Sequence, residues 1–577
     1  MVRMTERGSR GRKKGPKGRG PAPEPGRVEP PRAQPAAGET WRDILLPATG
    51  GGKRWLLGAL ALAFLLRVWN IKGMFPVLVD ESIYMRWTEI IVHQGNWFIS
   101  LLDGKPPLTY WILAVPRFVT GADPLLQGRL LSVVAGLCST VGVFAVARRL
   151  VPAEAGERAG LIAAHLYALF PWALLYDRLA YTEAWVNLMG VAVALTSIAC
   201  FDREGGTWKR ALAPGLALGL GLFTKQTVVL WAGVPAAAAF FLGRKHGGWL
   251  QRLAVIYLCG GLFLGLNALL TPEAPTLESH DAVLHHTGFF ADPADLLEDP
   301  FLAAGKNSGL ILSYIGAYLT WPAALAALAS AVWLGMRGSF APWLLVFGSL
   351  LPVTAEVFLL ELMFPTRYPF SHFWPWLAIA SAGAAAGWDW LGERAPEKRK
   401  LAAGLAAVVL CGPLVARDAL MLGAPQAGLH PADVEGFLGD SAHVGYGIAE
   451  AAQMIENAAD QHGGLVLLVD PVWGPPADAL AAMLNRRHGI HVYEAWWTQL
   501  SPTHAIRPDG TAEIIRSHYE RVSGGSVDFA NAGPIYYATD THYYPRQAVL
   551  TRQPDAQLVH SFPKPGGKHS IDVYRLR

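Results

Sequence analysis

Residues 55–111 read WLLGALALAFLLRVWNIKGMFPVLVDESIYMRWTEIIVHQGNWFISLLDGKPPLTYW. The run from Trp55 to Ile71 is almost wholly apolar, close to the roughly 20 residues a helix needs to cross a bilayer core. A long polar tail precedes it and no small-residue cleavage pattern follows, so it reads as a retained anchor helix and not as a cleaved signal. Asp80 and Glu81 come next, then Tyr84, Trp87 and Ile91 at helical spacing. Trp97, Phe98, Tyr110 and Trp111 add aromatic weight, as in an amphipathic helix lying at the headgroup level. Lys105-Pro106-Pro107 stiffens its end through fixed proline dihedrals. A carboxylate pair held at that depth suits a reaction between a lipid-borne donor and a water-side acceptor. An ordinary acidic helix start, favoured by the macrodipole, accounts for the same two residues.

Outward from this stretch, further apolar runs lie near 127–147, 159–176, 184–201, 211–223, 226–243, 252–271, 309–336, 341–361, 369–391 and 401–421. The expected architecture is therefore a polytopic α-helical membrane protein of about eleven transmembrane helices. Composition agrees: of 577 residues, 52% are hydrophobic and only 16% charged, against about 25% charged in soluble proteins. The run at 211–243 is interrupted by Thr224-Lys225-Gln226, and broken helices at membrane depth are tolerated where they line a cavity. Arg148, Arg149 and Arg158, then Lys209 and Arg210, Arg244 and Lys245, and Arg394 to Lys400 fall on alternate connections. By the positive-inside rule these connections are cytoplasmic, as is the N-terminus.

Three regions follow. Residues 1–53, rich in Arg, Lys, Gly and Pro, form a disordered basic tail on the cytoplasmic side. Residues 54–423 form the membrane domain. Residues 424–577 form an extracytoplasmic α/β domain, with strands at GGLVLLVDP, HVYEAWW, PIYYATD and SIDVYRL and helices at 447–460 and 477–487. Gly445-Tyr446-Gly447 lacks the strand–turn–helix context of a dinucleotide loop, so no nucleotide site is expected. The basic tail has no interleaved aromatic residues before Trp41, so no nucleic acid partner is expected either. Cys138, Cys200, Cys259 and Cys411 all sit in apolar runs, which excludes a disulfide framework.

Asp80-Glu81-x-x-Tyr84, Gly95-x-Trp97 and Lys105-Pro106-Pro107-Leu108-x-Tyr110-Trp111 together resemble the first external loop of the family-39-like glycosyltransferases. These are the protein O-mannosyltransferases and the bacterial aminoarabinose (lipid A) transferases of the GT-C superfamily. Further matches are Arg178-Leu-Ala-Tyr-Thr182-Glu183, Leu222-Phe223-Thr224-Lys225, and Pro365-Thr366-Arg367-Tyr368-Pro369 with His372. The family more often carries Asp at the Glu183 position and Gly at the Gln226 position. The resemblance runs over roughly residues 55–380, leaving the tail and the C-terminal domain outside it, and all four regions fall on the outer face in the topology above.

The resemblance implies transfer of a sugar from a polyprenyl phosphate to an acceptor hydroxyl, with inversion at the anomeric carbon. Asp80 matches the catalytic base, with Glu81 as a second site carboxylate. Lys225, Arg367 and His372 are the implied cations for the leaving phosphate, and Tyr84, Lys105, Arg178, Glu183 and Tyr368 the further substrate contacts. The implied partners are the lipid-phosphate donor, membrane lipids, and a glycan, lipid or protein acceptor; the composition points to a bacterial plasma membrane. No cofactor or metal is expected. His280, Asp281, His285 and His286 lack helical metal spacing and read as a polar loop over the site. A flippase for lipid-linked saccharides, or a non-catalytic receptor, would fit the same composition; clustering of the polar groups on one face and the lack of inverted repeats weigh against the first.

Overall fold

A computed structural model describes residues 40–120, 123–202, 207–271, 293–360, 365–470, 472, 474–484, 487–494, 511–513, 526–528 and 533–576. Among them, six helices are long and apolar enough to cross a membrane: Pro124–Arg148, Glu183–Phe201, Gln226–Gly243, Trp249–Leu270, Ala341–Leu359 and Pro396–Gly423. The pair Ala304–Leu319 and Trp321–Met336 makes a seventh if counted as one span, although its arms meet at 98°. The bend falls at Thr320, whose φ is +69°, just before Pro322. The single run expected over 309–336 is thus two arms.

Other expected spans are helical but shorter or more charged. The first, Gly50–Val68, is capped by the Thr49 hydroxyl and carries Arg67 in its last turn. Arg67 is fully buried and pairs with Asp177 at 2.9 Å. The run 159–176 is also broken: Ala153–Ala168 stops ahead of Pro171, which opens the short helix Pro171–Tyr176. Proline pushes the residue before it out of the helical region, and Phe170 is extended with ψ of 109°.

Pro124–Arg148 and Glu183–Phe201 lie in the interior. Close approach to Glu183–Phe201 depends on small residues: a Cβ on Gly190 would sit 2.4 Å from the Trp231 ring, so only glycine lets that helix touch the segment Gln226–Ala232. By contrast, Leu258, Leu262 and Leu269 on Trp249–Leu270, and Leu401, Leu405 and Val408 on Arg399–Gly423, are exposed. An apolar face of that extent fits lipid as its solvent.

Strand β1 is only Val77–Leu78, and it leads into the helix Val79–Gln94. It pairs antiparallel with β2, Val444–Gly445, and the Val79 amide donates to the His443 carbonyl at 3.0 Å. The remaining strands are β3 (Leu465–Val469), β4 (Ile490–Glu494), β5 (Thr511–Glu513), β6 (Ser526–Asp528), β7 (Ile535–Asp540), β8 (Gln557–Pro563) and β9 (Ser570–Arg575). Five of them form one sheet in the order β4-β3-β7-β9-β8; β4, β3 and β7 run parallel, β9 and β8 antiparallel. Helices Ile448–His462 and Ala477–Leu484 flank it, and β3 is buried along its length, as a covered parallel strand must be. The four expected strands are present, HVYEAWW as far as Glu494 with the rest outside the described residues. The edge strand β8 was not foreseen, because Gln557–Pro563 does not alternate and ends in proline.

Val77 and Met85 pack into the same hydrophobic cluster as Ile448, Leu467 and Leu480. The segment that begins at Asp80 is therefore gripped by the C-terminal sheet region on one side and by the helical bundle on the other.

Candidate active site

Asp80 lies in the first turn of Val79–Gln94, and its Oδ2 accepts from Arg367 Nη1 at 2.5 Å. The two residues are 287 apart in sequence. Burial works to raise the Asp80 carboxyl, but the cations Arg367, Lys105 and Lys225 outweigh it and hold it below the usual carboxylate range. In return, Asp80 holds the Arg367 guanidinium firmly charged, against its own burial.

Glu183, at the start of its helix, accepts from Lys225 Nζ at 2.6 Å. Tyr368 sits between the two cations, with Lys225 Nζ 5.9 Å and the Arg367 guanidinium 5.3 Å from its ring centre. A small cleft is lined by Glu183, Lys225, Arg367, Tyr368 and His372, together with Val186, Thr227, Phe370 and Ser371. His372 is buried, 3.3 Å from Glu356 and with its ring 5.5 Å from that of Trp231. Three of the four sequence regions thus contribute to one wall, and the fourth reaches it through the Asp80–Arg367 pair.

The turn carrying Lys225 is tied to the first loop. Leu108 donates its amide to the Phe223 carbonyl at 3.1 Å, and the Gln226 side chain donates to the Gly104 carbonyl at 3.3 Å. Gln226 therefore ties this turn to the first loop. Lys105 pairs with Asp103 at 2.8 Å and stands 5.6 Å from the Tyr84 ring centre and 5.3 Å from that of Trp87. Tyr84 itself is buried against Trp87, Tyr110 and Tyr181.

Two residues expected in the site lie behind it. Glu81 is fully buried and points away from Asp80 into a bidentate pair with Arg129, at 2.8 and 2.7 Å. It also accepts the amides of Leu78 and Ala180, at 3.2 and 2.8 Å. With four donors on two oxygens, Glu81 has no lone pair left for substrate. Arg178 is buried, donates to the Trp69 carbonyl and does not line the cleft. His280, Asp281, His285 and His286 lie outside the described residues.

Sequence reasoning missed Arg129 and Asp433. Arg129 donates to the carbonyls of Ile71, Phe75 and Pro76 as well as to Glu81; a lone arginine inside the apolar run 127–147 was the available signal, since such a charge must be paired. Asp433 accepts from Thr366 at 2.6 Å and from Tyr318, fixing the residue before Arg367. Burial pushes its carboxyl up to about 6, against the two hydroxyl donors. Nothing in its local sequence marks it.

Comparison with known proteins gives a consistent picture. Residues 104–271 match the family described as dolichyl-phosphate-mannose-protein mannosyltransferase, a narrower span than 55–380 and one that starts after Asp80. A stretch of 226 residues is 29% identical to undecaprenyl phosphate-alpha-4-amino-4-deoxy-L-arabinose arabinosyl transferase 1 of Pseudomonas fluorescens. That match covers 37% of this chain and 38% of the relative, well under half of either. Among solved structures, the chain is similar to ArnT from Cupriavidus metallidurans, known both in the apo state and bound to undecaprenyl phosphate. The TM-score is 0.54 at 15% identity, over 92% of this chain and 99% of that one. It is also similar to the Archaeoglobus fulgidus oligosaccharyltransferase solved with Zn and sulfate, with a TM-score of 0.50 at 14% identity over 90% and 72% of the two chains. At such identities the likeness is one of fold alone.

Proposed function

We propose that this chain, built on the GT-C fold, is a membrane glycosyltransferase that moves a sugar from a polyprenyl-phosphate donor to an acceptor hydroxyl. The observation that carries the reading is the single cleft lined by Lys225, Arg367 and His372, with Asp80 held against Arg367 at 2.5 Å. Cations belong where a phosphate leaves, because negative charge grows on its bridging oxygen in the transition state. Arg367 offers a planar fork suited to phosphate and Lys225 a compact charge. Asp80 is the acceptor's general base.

The geometry couples binding to basicity. A carboxylate held below its usual range by Arg367 is a weak base. When a donor phosphate engages Arg367, it shares the guanidinium's charge and Asp80 regains proton affinity. The base is thereby strengthened as the donor arrives, and general-base assistance is worth about 10²–10⁴-fold. Glu81 acts as a positioning residue: its pair with Arg129 ties the first turn of Val79–Gln94 to the bundle. The cleft faces the outer side of a bacterial plasma membrane, with the N-terminus inside and the C-terminal α/β domain outside, in keeping with the basic connections on the other face.

The test is transfer of radiolabelled sugar from polyprenyl-phosphate donors in purified, detergent-solubilised protein, with envelope lipids and glycans as acceptors. Asp80→Asn should retain donor binding and lose turnover. Equal turnover in wild type and variant would remove Asp80 from the mechanism, and lipid movement without transfer would favour a carrier.

A further inference from the structure

Outside the cleft, three side chains from three separate segments meet near the carboxyl end of β7. Asp440 follows the helix Pro431–Leu438, His542 follows β7, and His569 precedes β9. Asp440 Oδ2 is 3.1 Å from His569 Nδ1, and Asp440 Oδ1 is 3.5 Å from His542 Nε2. One ligand atom from each residue lies within 4.8 Å of the other two, the only such trio among the described residues.

Proton placement at this cluster is telling. His542 Nδ1 is 3.0 Å from Asp540 Oδ1, and Asp540 also receives the buried Lys564 ammonium and the His542 amide. A carboxylate paired with Lys564 only accepts, so Nδ1 carries the proton and Nε2 presents a lone pair when the ring is neutral. That lone pair faces Asp440 Oδ1, a buried oxygen without a hydrogen-bond donor. Two acceptors at this separation repel unless a cation lies between them. The two imidazoles stack with ring centres 3.5 Å apart and planes at 23°.

A single divalent ion answers every one of these demands. Zinc bonds of about 2.0–2.2 Å to imidazole nitrogen and carboxylate oxygen, at tetrahedral angles, place ligand atoms about 3.4 Å apart. The observed 3.1 and 3.5 Å run to the two different oxygens of Asp440, and the three ligand atoms lie within 4.8 Å of one another, close enough for small side-chain shifts to reach that spacing. Asp540 supplies the carboxylate that orients a metal-bound histidine from behind. His569, the most exposed of the three with 36% of its side chain accessible, has room for its ring to turn from the stack onto the ion.

We propose that Asp440, His542 and His569 bind one zinc ion, which staples the 440–445 segment to the C-terminal sheet. This segment is the one whose Val444 and Gly445 pair with β1 and whose His443 carbonyl receives the Val79 amide, one residue before Asp80. Lys564 holds the same segment through the Ser441 carbonyl at 2.6 Å. The staple therefore fixes, from the C-terminal domain, the entry of the helix that carries Asp80.

The proposal is tested on tag-free, full-length protein in detergent, loaded with zinc chloride, dialysed against zinc-free buffer and analysed by elemental mass spectrometry. About one zinc per chain is expected in the wild type, falling to background in His569→Gln and in His542→Ala. Chelation should lower the unfolding midpoint of the wild type and leave that of His569→Gln unmoved. His569→Gln alters the most exposed ligand, so it remains informative if His542→Ala fails to fold. Cobalt(II) in place of zinc should give tetrahedral d–d bands that His569→Gln abolishes. Wild-type protein without zinc, or variants that keep it, would overturn the proposal and leave a protonated His–Asp pair in its place. These readouts do not involve sugar transfer, so they stand or fall apart from the reading of the cleft.

Discussion

Asp80 and Glu81 are adjacent carboxylates, and the structure assigns them opposite sensitivities. Glu81→Gln leaves Arg129 buried with no counter-charge, since both side chains of the pair have no accessible surface. Removing one partner of such a pair costs about 3–5 kcal/mol, because the remaining charge is uncompensated. Part of that cost is local: the amide cannot accept from Arg129 on both sides while also receiving Leu78 and Ala180. Asp80→Asn differs, because its pair with Arg367 retains 15% and 27% side-chain accessibility. The structural cost there should be smaller than for Glu81→Gln, because water reaches both partners, while loss of the base should reduce turnover by about 10²–10⁴-fold. Thermal unfolding and single-turnover transfer, measured on the same detergent preparations, separate the two effects. Glu81→Gln should lower the midpoint markedly, and Asp80→Asn should lower it less while cutting transfer by the larger factor. A Glu81→Gln protein as stable as wild type would refute the uncompensated-charge argument. An Asp80→Asn protein with full turnover would refute the choice of base.

Arg367→Lys keeps the charge beside Asp80 but loses the fork; a charge-assisted hydrogen bond is worth about 1.5–3 kcal/mol, so donor affinity should fall by about 10–100-fold in a binding titration. Lys225→Met strands the Glu183 carboxylate and should destabilise the protein, whereas adding Glu183→Gln should restore the melting midpoint without restoring transfer. Gly445→Val should weaken β1–β2 pairing, since a Cβ there would stand 2.9 Å from the Val77 carbonyl oxygen; an overpacking cost of about 1–3 kcal/mol is expected, with lower turnover through a displaced Asp80. Asp433 has a folded pKa of about 6, above its ordinary 3.8, so the unfolded chain ionises first as pH rises. Stability from this group is full below pH about 4 and is lost progressively up to about 6, by on the order of 3 kcal/mol. Asp433→Asn should abolish that loss, which melting curves from pH 4 to 7 would reveal as a diminishing deficit of the variant relative to wild type.

Much of this was legible in the chain because its signals are local. The carboxylate Asp80 and the break at Lys225 stood out beside apolar runs, where an ionisable group is costly without a task, whereas Arg367 and Tyr368 were marked only by the family resemblance. The buried strand β3 and its flanking helices were readable from an apolar run and helical periodicity. Other features left no local trace. Glu81 reads the same as Asp80 in sequence, and only Arg129, 48 residues away, shows that it faces the bundle. The bend at Thr320 lies inside an apolar run whose composition is uniform on both sides.

The sequence by itself determined that the chain is a helical membrane protein with a C-terminal α/β region. Those properties follow from composition and short-range periodicity, since the bilayer demands apolar helices of a given length whatever their neighbours. Tertiary structure alone decided which of the charged residues meet. Arg367 reaches Asp80 across 287 residues, and β2 pairs with β1 across a comparable stretch of chain. Such contacts are set by how helices pack and where the sheet region docks, and in a low-dielectric interior each buried charge takes the partner that packing brings to it.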